Sequence, residues 1–96
     1  MAKITFLNWE EIPSVVEASD GETMHKEQLS QRFQDLIDLV AMKKDLAGTD
    51  AYLEKWNKTP GGERDGSPEE VAKAAAQEIE DRFDDIVKEQ MAQVGG

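Results

Sequence analysis

A small α+β domain is the fold class this sequence predicts: a short N-terminal β-ribbon of two strands, extendable to a third, packed against three α-helices. Three observations predict it. Strand-favouring residues crowd the first twenty positions, one long segment carries an apolar stripe at helical spacing, and a complete helix-start signal opens the last third of the chain.

The ribbon spans residues 3–19. In Lys3-Ile4-Thr5-Phe6-Leu7-Asn8-Trp9-Glu10, Ile4, Phe6 and Asn8 share one face while Thr5, Leu7 and Trp9 share the other. Apolar and β-branched residues on both faces predict a strand covered on both sides. Ile12-Pro13 interrupts pairing, because proline has no backbone N–H to donate. Ser14 to Ser19 forms the second strand and Asp20-Gly21 the turn that closes it. Two strands alone are marginal in water, so the ribbon must lie against helices.

The first helix is expected over about 26–46, where Leu29, Phe33, Leu36, Ile37 and Val40 form one stripe. Lys43-Lys44 suits the negative end of the helix dipole, and Gly48 can take the left-handed terminating conformation. Thr49 caps a second helix over 49–58, with Tyr52, Leu53 and Trp56 on one side. Residues 59–66, Thr-Pro-Gly-Gly-Glu-Arg-Asp-Gly, contain turn formers and charge but no apolar side chain, and read as a flexible surface loop. The third helix, 67–92, starts on Ser67 as N-cap, Pro68 at the first helical position and Glu70 completing a capping box. Its stripe is Val71, Ala75, Ile79, Phe83 and Ile86, with Val87 at the margin.

Composition bounds the function. At 96 residues the chain has room for one domain and one core, residues 1–96. Twenty-one acidic against eleven basic residues give a net charge of −10, which repels nucleic-acid phosphates and anionic lipid surfaces. Residues 63–89 hold ten acids and four bases, a net −6, so the final helix is the acidic end of the molecule. The absence of cysteine excludes disulfides, thiolate metal sites and thiol nucleophiles. No apolar run approaches the ~20 residues that span a bilayer, and no apolar leader is visible, so a cytoplasmic location without membrane contact is the expectation.

No catalytic constellation emerges, and no cofactor or metal is expected. His25 has no second nitrogen ligand at helical spacing, so it reads as an exposed residue at a helix start. Glu78, Asp81 and Asp85 fall on one face and could bridge a divalent cation weakly. They lack the glycine turn of a calcium loop, and Arg82 and Lys88 offer local pairing to Glu78 and Asp84, so a solvated face is the reading. Trp9, Tyr52 and Trp56 can serve either a core or an interface. The candidate partner surface therefore comprises Trp9, Tyr52, Trp56, Asp81 and Asp85, with another protein as the partner. An alternative is a sulfur or acyl carrier acting through the terminal Gly95-Gly96, although such carriers present that tail from a β-rich fold.

The segments also carry a family resemblance. Trp9 before Ile12-Pro13, Arg32-Phe33, Ile37-Asp38, Ala41-Met42, Gly48-Thr49-Asp50-Ala51-Tyr52-Leu53 with Trp56, and the alanine-rich stretch 72–79 resemble the small bacterial virulence-factor domain proteins. Where the family carries Trp-Arg-Asp-Ile-Pro, this chain reads Trp9-Glu10-Glu11-Ile12-Pro13, so any role of that arginine does not transfer. The resemblance supplies no catalytic residues. It implies an accessory subunit or chaperone associated with folate and corrinoid one-carbon metabolism, which joins the residues' own reading as a non-catalytic interaction module.

Overall fold

A computed structural model describes residues 1–94, and Gly95-Gly96, the proposed carrier tail, lie outside the described residues. The chain runs β1 (Ala2–Trp9), β2 (Ile12–Ser19), β3 (Met24–Gln28), α1 (Gln31–Lys43), α2 (Asp50–Glu54), β4 (Trp56–Arg64), α3 (Pro68–Asp81) and α4 (Phe83–Val94). The α+β class holds. The ribbon is, however, part of a four-stranded antiparallel sheet of order β3-β2-β1-β4, and the described residues form four helices rather than three.

Each difference has a local cause. The predicted start of the first helix at residue 26 is instead strand β3, in which His25 and Glu27 alternate with exposed Met24, Lys26 and Gln28. Asp20 sets up that strand, since its carboxylate accepts from the amides of Glu22 and Thr23, both at 2.9 Å. The second helix stops at Glu54, and the predicted loop at 59–66 is mostly strand β4. Beyond Trp56 that strand has no large apolar residue; Gly61 faces the side of the sheet where Phe6 and Ile4 fill the space beside it. Gly61 and Gly62 together oppose Ile4, a bulge that Gly62 accommodates with φ of +85°.

The third predicted helix breaks at Arg82, the C-cap of α3, whose carbonyl accepts from the Ile86 amide at 3.0 Å and so begins α4. The first helix also ends differently. Asp45 takes the left-handed position that terminates it, at φ of 59°, with Leu46 N–H bonding Ala41 O and Asp45 N–H bonding Met42 O, a Schellman motif, while Gly48, at φ of 77°, lies beyond that motif.

One buried cluster joins sheet and helices. Ala2, Ile4, Val16 and Ala18 on the sheet meet Val71, Ala72 and Ala75 of α3, while Phe33, Leu36, Ile37 and Val40 bury the predicted stripe of α1. The small alanines let α3 lie close over β1, β2 and β3. The opposite face is not covered as expected: Thr5, Leu7, Val15 and Glu17 stay half-buried, with Lys26 and Lys58 reaching Glu17 from the two edge strands.

Candidate functional site

The aromatic residues singled out from sequence converge where β1 ends, α2 turns and β4 begins. Trp9 and Trp56 are register partners across β1 and β4. Tyr52 stands on the helical turn between them, its ring 5.4 Å from Trp9 and 6.4 Å, edge-on, from Trp56. Thr49 makes this geometry possible by capping the five-residue α2, accepting from the Tyr52 amide at 3.3 Å.

The three aromatics are not equivalent. Trp9 is fully buried and donates its indole N–H to the Tyr52 carbonyl at 2.9 Å, so it offers no face to a partner and serves instead as the anchor of the corner. Its placement among surface candidates is corrected by that cover from α2. Tyr52 and Trp56 are half-buried and keep an accessible side. Leu53, on the same short helix, is 66% exposed, and Met42 and Leu39 on the outer side of α1 are 67% and 43% exposed. The α1–α2 segment thus holds three of the large apolar side chains that the fold leaves in water. Leu39 and Met42 are apolar residues lying off the stripe of Phe33, Leu36, Ile37 and Val40, which is the sequence signal of their exposure.

Polar contacts fix this corner to the β1–β2 turn. Glu10 adopts a positive φ of 54° and its carboxylate receives Lys44 Nζ at 2.7 and 2.9 Å. Its amide donates to Lys55 O at 2.9 Å, and its carbonyl accepts from Asn57 Nδ2 at 3.1 Å. An uncommon backbone conformation is therefore held from the ends of α1 and α2 and from β4 at once.

The acidic candidates lie elsewhere. Asp81 ends α3 and Asp85 falls in the first turn of α4, both exposed, and the break at Arg82 interrupts the single helical face expected to align them with Glu78. No hydrogen bond or ion pair among the described residues links either to the aromatic corner. The expected pairing of Arg82 with Glu78 is replaced by Arg64, which reaches from β4 to bind Glu78 through both nitrogens at 2.6 and 2.9 Å. That bond holds the Glu78 carboxyl below its usual range and raises the Arg64 guanidinium.

His25 belongs to β3, the opposite sheet edge from β4, and contacts Glu27 at 2.9 Å. Among the described residues no group of three or more metal-ligating side chains is placed to hold an ion, and no helix is long and apolar enough to cross a membrane. What the corner can do chemically is bind, by burying apolar surface around partly covered aromatic rings.

A model of one protein family, described as virulence factor, matches residues 7–91, from within β1 to within α4. No curated protein and no solved structure matches the chain.

Proposed function

The chain belongs to the virulence factor family, and from that premise we propose that it is a non-catalytic accessory module that docks another protein through the α1–α2 corner. The observation that carries this reading is the exposure of Leu53 on the same short helix as half-buried Tyr52, together with that of Leu39 and Met42 on α1. Interfaces concentrate binding energy in a few aromatic and large apolar side chains ringed by polar ones, and this corner has that make-up. The net charge of −10 favours a partner with a basic rim, through faster and more selective encounter. By the resemblance set out above, enzymes of folate and corrinoid methyl transfer are the partners to test first.

The test is site-specific crosslinking in native cells with a photoreactive residue at Leu53, compared with one at Lys73 on the outer face of α3. A partner captured stoichiometrically from position 53 and not from 73 is the expected result. In purified form, Leu53→Asp combined with Met42→Asp should weaken that complex by roughly 30-fold or more, two anchors at over 1 kcal/mol each. The melting temperature should stay unchanged, because both side chains already face water. Equal capture from both positions, or an unweakened complex, refutes the assignment.

A further inference from the structure

Between the β1–β2 ribbon and the α3–α4 break lies a cleft of about 240 Å³. Phe6 and Ile79 with Ile86 give it apolar walls, and Asn8, Arg82, Glu11 and Glu89 supply its polar groups. The size is below the roughly 300–1,000 Å³ of sites for drug-sized ligands and suits a molecule the size of one amino acid.

The polar groups have been left unspent in a specific way. Arg32 and Arg64 each bind a carboxylate, Glu80 and Glu78, whereas Arg82 forms no ion pair among the described residues. Its natural helical partner one turn back, Glu78, is occupied by Arg64 from β4. Glu11 and Glu89 line the same cleft, yet neither closes on Arg82, so opposite charges are held apart across an apolar-walled space. Among the described residues, Glu11 is engaged only by Gln93 Nε2 at 3.0 Å.

The floor is polar as well. Asn8 is 8% exposed and commits its Nδ2 to Thr59 Oγ1 at 3.0 Å and Asn57 Oδ1 at 3.5 Å. No buried side-chain nitrogen or oxygen among the described residues lacks a partner, so Asn8 Oδ1, which accepts none of these bonds, keeps contact with solvent on a residue that lines the cleft.

We propose that this cleft binds a free apolar amino acid as its zwitterion. The carboxylate sits on the Arg82 guanidinium, whose planar fork matches it. The ammonium lies toward Glu11, Glu89 and Asn8 Oδ1, and an aliphatic side chain rests on Phe6, Ile79 and Ile86. A ligand carrying both charges bridges the separated groups, where an anion alone would meet two carboxylates and a cation alone would meet the arginine. The assignment is independent of the docking corner, since none of the cleft residues belongs to α1 or α2.

The test is titration of the full-length chain with L-leucine, followed by amide chemical shifts. Saturable shifts centred on Phe6, Asn8, Ile79 and Ile86 are expected, with isopentylamine and 4-methylpentanoate, each missing one charge, at least tenfold weaker. Arg82→Gln should lose at least tenfold in leucine affinity while leaving the weak isopentylamine titration no weaker. Glu89→Gln should do the converse, weakening leucine while leaving 4-methylpentanoate no weaker. No saturable shift up to about 10 mM, an affinity too weak to matter for a millimolar metabolite, overturns the proposal. Shifts centred elsewhere, or one-charge analogues binding as well as leucine, overturn it too.

Discussion

At Gly61 a missing methyl group decides whether β4 can join the sheet. A Cβ built there would stand 2.5 Å from Phe6 Cε2 and 2.7 Å from Ile4 Cγ2, distances no real side chain tolerates. Gly61→Ala must displace Phe6 or push β4 away from β1, and overpacking of this kind costs about 1–3 kcal/mol. Chemical denaturation should report that loss, and Phe6→Leu combined with Gly61→Ala should recover part of it by vacating the space. The same residue shows why β4 escapes a reading of the sequence. A strand is recognised by its apolar alternation, and here Asn57, Thr59 and Gly61 occupy the alternating positions, with the apolar surface beside Gly61 supplied by Ile4 and Phe6 of β1. Trp9 is the reverse case. Its β-rich setting was legible, but its burial depends on Tyr52, forty-three positions away, folding over it.

At the scale of elements, α1 is held at both ends by groups from outside the helix. Ser30 is its N-cap residue, yet its hydroxyl makes no capping bond; instead Ser30 N–H and Oγ both donate to the Glu80 carboxylate of α3, at 2.7 and 2.8 Å. Arg32 completes the clasp, donating to the same carboxylate at 3.0 Å and to the Glu80 carbonyl at 2.7 Å, and lying 4.4 Å over the Phe83 ring. Burial pushes the Glu80 carboxyl up, but the bonds from Ser30 and Arg32 outweigh it and leave the group below its ordinary value. Glu80→Ala removes several bonds to a charged acceptor that is only partly exposed, and a loss of about 1–3 kcal/mol is expected in thermal or denaturant unfolding. At the other end Asp45 sits at positive φ in the Schellman position, where glycine is strain-free. Asp45→Gly should therefore be neutral to stabilising by up to about 1 kcal/mol, against the usual cost of a new glycine. The middle of this helix was legible, because Phe33 to Val40 keeps strict spacing. Its ends were not, because both depend on residues distant in sequence or on an aspartate doing what glycine usually does. The break at Arg82 hid for a related reason: Ile79, Phe83 and Ile86 continue the apolar stripe straight through it, with no glycine or proline to mark the interruption.

For the whole molecule, charge sets both what the surface can meet and how stability answers pH. The acidic excess at 63–89 was legible from composition, but not how it is used: Glu69 pairs with Lys73, Glu78 with Arg64 and Glu80 with Arg32, so part of the excess ties α3 to β4 and α1. Backbone bonds from Thr23 and Glu22 lower Asp20, the bond from Lys73 lowers Glu69, the bond from Arg64 lowers Glu78, and the bonds of the α1 clasp lower Glu80. A carboxyl that is lower in the folded chain than in the unfolded one stabilises the fold above the unfolded value, here 3.8 for aspartate and 4.5 for glutamate. That stabilisation is lost as pH falls through the lowered values. Acting against it, the repulsion of a chain at −10 is relieved as the unpaired acids protonate. Thermal stability in low salt should therefore hold or rise slightly from pH 7 towards 5 and fall steeply below about 4. Added salt should raise the melting temperature at pH 7, where net repulsion is screened. Asp20→Asn combined with Glu78→Gln should lower stability at pH 7 and flatten the acid limb, since those groups then carry no proton linkage. An acid limb of unchanged steepness in that variant would place the linkage in other carboxylates and sink the assignment.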